Sequence, residues 1–410
     1  MPAGRPMAAL PTLAVLTGAY LLSQFFRTAL AVVAPEIAHD LALDPARLGV
    51  LSSAWFWAFA AAQIPIGVAL DRWGPRRTVS VLFGVAGLGC VAFARADGLA
   101  SAAFGQVLIG IGCGPVFMGA LVVLARFYDP RRFALLSSIL LAVGSGGTLL
   151  GATPLAMTAA AFGWRGAYLA MGGIVVLVAV LVALVVRDRP PGMAPPAGGE
   201  SAAAALWGIL AVLRRRELWP ILPIAFTGYA VLVTVRGLWA GPYLADVFGF
   251  GPVERGNALL VMSVAMILGT LLYGNLERRI DRRRDPALVG GAGTVLVLLL
   301  LVMFPATSAL AATALLALLG GLGMTYALLM AQGRRFLAPH EVGRGLTFLN
   351  CACFAGAATL QALSGVVVEQ ASGAEPAAAY RALFLVLALL LAAALAAYSR
   401  SHDAPAAKLG

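Results

Sequence analysis

The chain has 410 residues, 61% hydrophobic and 11% charged, with a formal net charge of +11 and a mean hydropathy of +0.91. A soluble domain carries about 25% charged residues, so this composition excludes an ordinary soluble domain and indicates a polytopic membrane protein. Lipid admits only helices or closed barrels, and the long Leu, Ala, Val and Gly runs do not alternate, which favours helices.

Twelve apolar spans are predicted, at 11–36, 47–70, 79–95, 99–126, 134–162, 167–187, 218–246, 254–276, 287–304, 308–331, 343–370 and 379–399. The first holds "LLSQFFRTALAVVAP", with a permanent positive charge, Arg27, near its middle. Helical rise puts Arg27 roughly 12 Å below Pro35. Such a charge costs on the order of 3 kcal/mol even on the lenient insertion scale. Tyr20, Gln24 and Arg27 follow i, i+4, i+7 spacing and form one polar stripe. No Asp or Glu lies mid-span; Glu36, Asp246 and Glu369 sit at or near span ends. Snorkelling to the interface is the competing account. An unpaired guanidinium awaiting an anion is the functional one.

Between spans two and three lies "GVALDRWGPRRT", with Gly67, Asp71, Arg72, Gly74, Arg76 and Arg77. Asp71 is read as a conformational latch that caps a helix end or pairs with an arginine across the molecule. Gln63 precedes this loop in span two, where Trp55 and Trp57 are read as packing or interface anchors ahead of substrate walls. Gln106 falls in span four, and "GSGGTLLGATP" (Gly144 to Pro154) in span five suits close helix packing. Span seven holds Tyr229 and Arg236, repeating the spacing of Tyr20 and Arg27. Asn350 and Gln361 follow in span eleven and, with Gln63 and Gln106, line a cavity or bond between helices.

The arginine clusters Arg72–Arg77, Arg126–Arg132, Arg187–Arg216, Arg278–Arg284 and Arg334–Arg344 fall on alternate loops; the opposite loops hold Arg47, Arg95, Arg165, Arg255 and Arg381. This positive-inside pattern predicts both termini in the cytoplasm, and it leaves Arg27 and Arg236 as the basic residues inside the membrane. "RDRPPGMAPPAGGES" breaks the chain with Pro and Gly, and "AAAALWGILAVLRRRELW" after it reads as an interfacial helix. The expected organisation is a six-helix half at 1–187, a cytoplasmic linker with interfacial helix at 188–217, a second six-helix half at 218–399 and a tail at 400–410. At one offset Pro35, Pro45, Gly49 and Gly67 meet Pro242, Pro252, Gly256 and Gly274; at another, Tyr20 and Arg27 meet Tyr229 and Arg236. Together they indicate a duplicated, pseudo-symmetric plan with a site between the repeats.

"GVALDRWGPRRT", "FGWRGAY" (Phe162 to Tyr168) and the degraded second copy "GNLERRIDRRRD" resemble signatures of the major facilitator superfamily. The resemblance spans about residues 11–399 and implies alternating access by two rocking halves. "FFRTALAVVAP", "VRGLWAGPYL" and "QIPIGVALDR" resemble the organic-anion:cation symporters and organophosphate antiporters of that superfamily. In those groups the first-helix arginine meets an anionic substrate, which carries over to Arg27. Gln63 stands where the organophosphate group has lysine, and Phe26 where many organic-anion symporters have Asp.

The expected fold is therefore an all-α membrane protein with twelve helices in two halves. The expected function is secondary transport, as symporter or antiporter, of a small organic anion, a carboxylate ahead of a phosphate ester. The substrate is held between the halves by Arg27 and Arg236, with Tyr20, Gln24 and Tyr229 beside them. A drug or metabolite exporter, and a non-transporting receptor, are the alternatives. No nucleophile–base set or phosphate loop appears, and His39, His340 and His402 lie outside the spans, so no enzyme is expected. Cys90, Cys113, Cys351 and Cys353 lack metal-ligand spacing and read as apolar filler. No metal, cofactor or nucleic acid is expected; the partners are the anion and membrane lipid, around a monomer in a bacterial cytoplasmic (inner) membrane.

Overall fold

The computed structural model describes residues 10–188, 215–279, 282–337, 342–373 and 375–403. Its helices are α1 (Leu10–Asp40), α2 (Pro45–Ala94), α3 (Leu99–Cys113), α4 (Pro115–Phe127), α5 (Pro130–Leu150), α6 (Thr153–Val185), α7 (Leu222–Thr234) and α8 (Ala240–Phe248). Then follow α9 (Pro252–Arg279), α10 (Arg284–Met303), α11 (Ala309–Leu322), α12 (Tyr326–Arg335), α13 (Val342–Ala371) and α14 (Pro376–Tyr398). No strand occurs among the described residues. Most of the predicted interfacial helix lies outside the described residues; its end forms a 3₁₀ turn, Arg216–Leu218.

Ten helical stretches are long and apolar enough to cross a membrane, and two of them, Pro45–Ala94 and Leu135–Val185, run to 50 and 51 residues. A bilayer core needs about 20. Each is interrupted by a glycine with positive φ, Gly74 at 81° and Gly163 at 70°, a conformation that side chains with a Cβ resist. Thr78 Oγ1 donates to the Ala69 carbonyl at 3.1 Å. Residues nine apart in one straight helix would be about 13.5 Å apart, so the chain folds back at Gly74. The predicted spans two and three, and five and six, share these two long stretches. Beside Gly163, Trp164 Nε1 donates to the Asp40 carboxylate at 2.9 Å and Arg165 pairs with it at 2.7 Å, tying the "FGWRGAY" turn to the end of α1.

The bundle is dressed in apolar side chains such as Leu88, Leu184, Val289 and Leu310, all well exposed, as a lipid-facing surface requires. The helices before residue 189 pack chiefly with one another, as do those after residue 215. The two groups meet through α2 with α13, α6 with α9, and α1 with the turn joining α7 to α8. Small residues set these approaches. A Cβ on Gly49 would lie 2.7 Å from the Gln361 carbonyl, and one on Gly256 would lie 2.7 Å from Ala156 Cβ.

The bonds across this seam gather toward the face predicted to be outer. Thr153 Oγ1 donates to Asn257 Oδ1 at 2.8 Å, and Ser52 Oγ donates to Gln361 Oε1 at 2.6 Å. Arg255, expected as a loop charge, is 5% exposed and forms a short ion pair with Glu36; it also donates to the Val32 carbonyl at 3.2 Å. Toward the face predicted to be inner, the principal neighbours of α4 are α1, α2 and α5, and those of α12 are α7, α9, α10 and α13, each within its own group. The groups therefore grip each other at the end predicted to be outer.

Glu36→Gln leaves Arg255 buried beside a neutral partner. Breaking a buried pair from one side costs about 3–5 kcal/mol, and only about 1.4 kcal/mol of it biasing the grip is a factor of ten. In a background without native cysteines, Ala34→Cys should react with an impermeant maleimide at least about tenfold faster once Glu36 is Gln. An unchanged rate removes the pair from the closure of this face.

Candidate functional site

The site is built on α1. Its face toward α5 carries Tyr20, Leu21 and Gln24, and α5 answers with glycine: a Cβ on Gly144 would run into the Tyr20 ring, and one on Gly147 into the Leu21 carbonyl. Gly146, one residue from Gly147, has nothing within 4 Å. Tyr20 is held from another side by Phe117, ring centroids 4.9 Å apart. The glycine-rich stretch thus brings α5 into backbone contact with α1 and fixes the polar stripe.

Arg27 extends from that stripe into an aromatic cage. Its guanidinium carbon lies 5.0 Å from the Phe354 ring centroid, 5.1 Å from Phe59 and 6.0 Å from Trp55. Trp55 and Phe59 come from α2 and Phe354 from α13, so both helix groups wall the charge. The hydroxyls of Tyr229, Tyr20 and Tyr326 share its electrostatic surroundings. Arg27 makes no ion pair among the described residues, and its Nε is buried without a hydrogen-bond partner. Gln24 Oε1 and Trp55 Nε1 are likewise buried and unpartnered.

Arg236 occupies the corresponding place on the other side. It lies in a π-helical turn, Val235–Trp239, a feature that recurs at functional sites. Fully buried, it donates through Nε to Ser263 Oγ at 3.0 Å and through Nη2 to the Thr148 carbonyl at 3.4 Å, while Nη1 has no partner. Ser263 is on α9 and Thr148 on α5. Each arginine therefore reaches between the second span of its own group and the fifth span of the other. The sequence suggests two stripes facing each other; the structure sends the two guanidiniums to different walls, Arg27 to rings and Arg236 to oxygens.

The other predicted residues divide. Gln361 is fully buried; it accepts from Ser52 and donates to the Val233 carbonyl at 3.4 Å, so it ties helices together. Gln63 is buried and donates to the Phe59 carbonyl at 3.3 Å, within α2. Gln106 is buried, against the Tyr168 hydroxyl. Asn350 accepts from the Tyr326 hydroxyl at 2.7 Å and so borders the cage. Trp239 donates to Ser364 Oγ at 2.7 Å and packs, whereas Trp55, read as packing or an anchor, walls Arg27. Phe59, Phe354 and Tyr326 carry no signal in the sequence, because rings are common in lipid-facing helices; they lie on other spans and come to Arg27 only when the helices meet.

At the loop "DRWGPRR" the latch residue behaves differently from the expectation. Asp71 is exposed and makes no hydrogen bond or ion pair among the described residues. Asp188, at the end of α6, takes the loop instead: it accepts from the Arg76 backbone N–H at 2.7 Å and fills the space beside Gly74. Arg76 Nε donates to the Ala183 carbonyl at 2.6 Å, and Arg126 donates to the Asp188 carbonyl at 3.1 Å. Arg72 and Arg77 are exposed, as is Gly67. A pocket of about 460 Å³ opens here between Trp73, Arg76, Arg77 and Asp188. No group of three or more His, Cys, Asp or Glu side chains able to hold a metal occurs among the described residues.

The family model described as Major Facilitator Superfamily matches residues 16–358 and 238–409. The chain is 27% identical over 269 residues to the hexuronate transporter of Bacillus subtilis (strain 168), covering 64% of this chain and 61% of that protein. It is 25% identical over 279 residues to the probable sulfoacetate transporter of Cupriavidus necator, covering 64% of each. The matched part thus spans less than two thirds of these relatives' length. The crystal structure of a bacterial homologue of the human lysosomal transporter Spinster superposes with a TM-score of 0.78 at 18% identity, covering 98% of this chain and 100% of that one. At that identity the likeness is one of fold.

The α1–α5 contact gives a matched test. Gly147→Ala sets a methyl against backbone, and overpacking costs typically 1–3 kcal/mol; the melting temperature of the detergent-purified protein should fall by several degrees. Gly146→Ala should leave it unchanged or slightly higher, because Ala is favoured over Gly in a helix by roughly 0.5–1 kcal/mol. Equal effects of the two substitutions contradict the close approach.

Proposed function

The chain belongs to the Major Facilitator Superfamily, and from that premise we propose that it is a secondary transporter of a small organic anion, a carboxylate ahead of a phosphate ester. The observation that carries this reading is the Arg27 guanidinium: it is walled by both helix groups, no carboxylate pairs with it among the described residues, and its Nε lacks a partner. A membrane-buried cation without a counter-charge is stabilised by the anion that it carries. Arg236 is the second contact, from the other group, through the free Nη1; its 3.4 Å bond to Thr148 is long and easily exchanged. Tyr20, Gln24 and Tyr229 border the same space.

Transport runs by alternating access. In this reading the bonds between Glu36 and Arg255, and between Thr153 and Asn257, hold the outer side shut, and the path toward the cytoplasm, where both termini lie, is the open one. Asp71 is free in this state and engages when the inner side closes; Asp188 holds the loop in the meantime. Relatives named for hexuronate and sulfoacetate agree with an anionic cargo. The setting is a bacterial inner membrane. No catalytic chemistry is assigned.

Two predictions follow from these assignments. A charge-assisted bond is worth roughly 1.5–3 kcal/mol, and 1.4 kcal/mol is tenfold in affinity. Arg27→Ala and Arg236→Ala should each weaken equilibrium anion binding by about ten- to a hundredfold, and the double variant by less than the product, since both share one ligand. Arg27→Lys should rescue little, because an ammonium lacks the planar fork. Isothermal titration with an organic-anion panel checks this; wild-type affinity in both alanine variants refutes the anion site. Asp71→Asn should slow solute flux into proteoliposomes and leave equilibrium affinity within about threefold, less than 1.4 kcal/mol; undiminished flux removes the latch.

A further inference from the structure

The walls of the Arg27 site differ from those a heavily hydroxylated acid needs. Trp55 and Phe59 stack with centroids 5.0 Å apart, and Phe59 meets Phe354 at 4.6 Å. Tyr229 continues the surface, 5.9 Å from Phe354 and 5.6 Å from Tyr326. These rings form one connected wall around a single guanidinium. Several polar side chains nearby are engaged with the protein: the Tyr326 hydroxyl with Asn350, Gln361 with Ser52 and Val233, and Gln63 with Phe59, while the Tyr20 and Tyr229 hydroxyls face the guanidinium. A substrate hydroxyl set against the Trp55, Phe59 and Phe354 rings would lose water without gaining a partner.

Among the described residues, three buried polar atoms at this site lack a partner. Arg27 Nε and Trp55 Nε1 are both donors, buried and unpartnered, and the amide oxygen of Gln24, about one turn before Arg27 on α1, has no partner either. Trp55 is only 2% exposed, so its N–H has no recourse to solvent. Two donors next to one cation suit one carboxylate, an oxygen to each. The rings suit a flat apolar body, because aromatic pairs gain from offset or edge contacts beyond the area they bury.

We propose that the cargo is a monoanionic aromatic carboxylate, its carboxylate bonded to Arg27 Nε and Trp55 Nε1 and its ring against Phe59, Phe354 and Tyr229. The inference rests on the anion site proposed above and adds the chemical class of the body that the anion carries. It assigns Trp55 as a substrate-binding residue: its N–H reads the carboxylate and its face reads the ring.

The test uses the purified full-length protein, with thermal stabilisation and titration calorimetry against benzoate, cyclohexanecarboxylate, D-glucuronate and benzyl alcohol. Stabilisation grows with occupancy of the folded state. Benzoate should stabilise, cyclohexanecarboxylate should bind several-fold more weakly, and glucuronate and benzyl alcohol should have no effect at the same concentration. Trp55→Phe keeps a ring and removes the donor; it should weaken benzoate binding about tenfold, with the melting temperature of the free protein unchanged. Stabilisation by glucuronate and not benzoate overturns the aromatic inference and leaves the organic-anion reading standing. No response to any of the three carboxylates overturns both. Benzoate affinity unchanged in Trp55→Phe overturns the role given to the indole N–H.

Discussion

A guanidinium that cannot lose its charge, held inside a membrane bundle with no carboxylate partner among the described residues, is the constraint around which this structure is arranged. Inserting it costs on the order of 3 kcal/mol on the lenient scale. A desolvated cation–π contact returns about 2 kcal/mol. Three rings face Arg27, but they compete for one charge and their contributions do not add. The cage therefore makes the charge tolerable without satisfying it, and in the proposed function the remaining deficit is what an incoming anion relieves. Arg236 meets the same constraint by another route. Ser263 and Thr148 give it oxygen acceptors, which stabilise the cation and leave Nη1 without a protein partner.

The placement of both arginines depends on how closely the helices approach. Gly144 and Gly147 seat α5 on α1; Gly49 and Gly365 let α2 and α13 meet, since a Cβ on Gly49 would lie 3.0 Å from Gly365 Cα. Without the first contact the Tyr20–Gln24–Arg27 stripe would lose its register. Without the second, Phe354 would stand away from Trp55 and Phe59. The Glu36–Arg255 pair lies at the outer end of the same seam. Closure of that end and assembly of the aromatic cage are thus consequences of one packed interface, which ties access to the site to the site's own geometry.

Much of this was legible in the sequence. Apolar run lengths marked the membrane segments, and Gly74 and Gly163, the positive-φ glycines that interrupt the two longest helical stretches, fell in the motif loops. Arg27 and Arg236 stood out because a charge in lipid has no bland explanation of equal weight. What stayed hidden involved partners from distant spans. Phe354 carries no signal of its own in a Leu- and Ala-rich helix, and its role arises from α13 crossing α2. Arg255 looked like an ordinary loop charge, since its burial against Glu36 depends on how the two groups dock. Asp188 sat at the edge of a Pro-rich linker, and only the fold brings it to the Gly74 turn. Periodicity within one helix was readable; geometry between helices was not.

The central claim is that the anion binds at the Arg27 cage. The most direct measurement is a crystal or cryo-electron microscopy structure of the protein with bound benzoate, refined with and without the ligand. The account predicts density bridging Arg27 Nε and Trp55 Nε1, with bonds near 2.7–2.9 Å, and a ring packed on Phe354. A benzoate ordered elsewhere in the bundle, with these two donors still unpartnered, would contradict it.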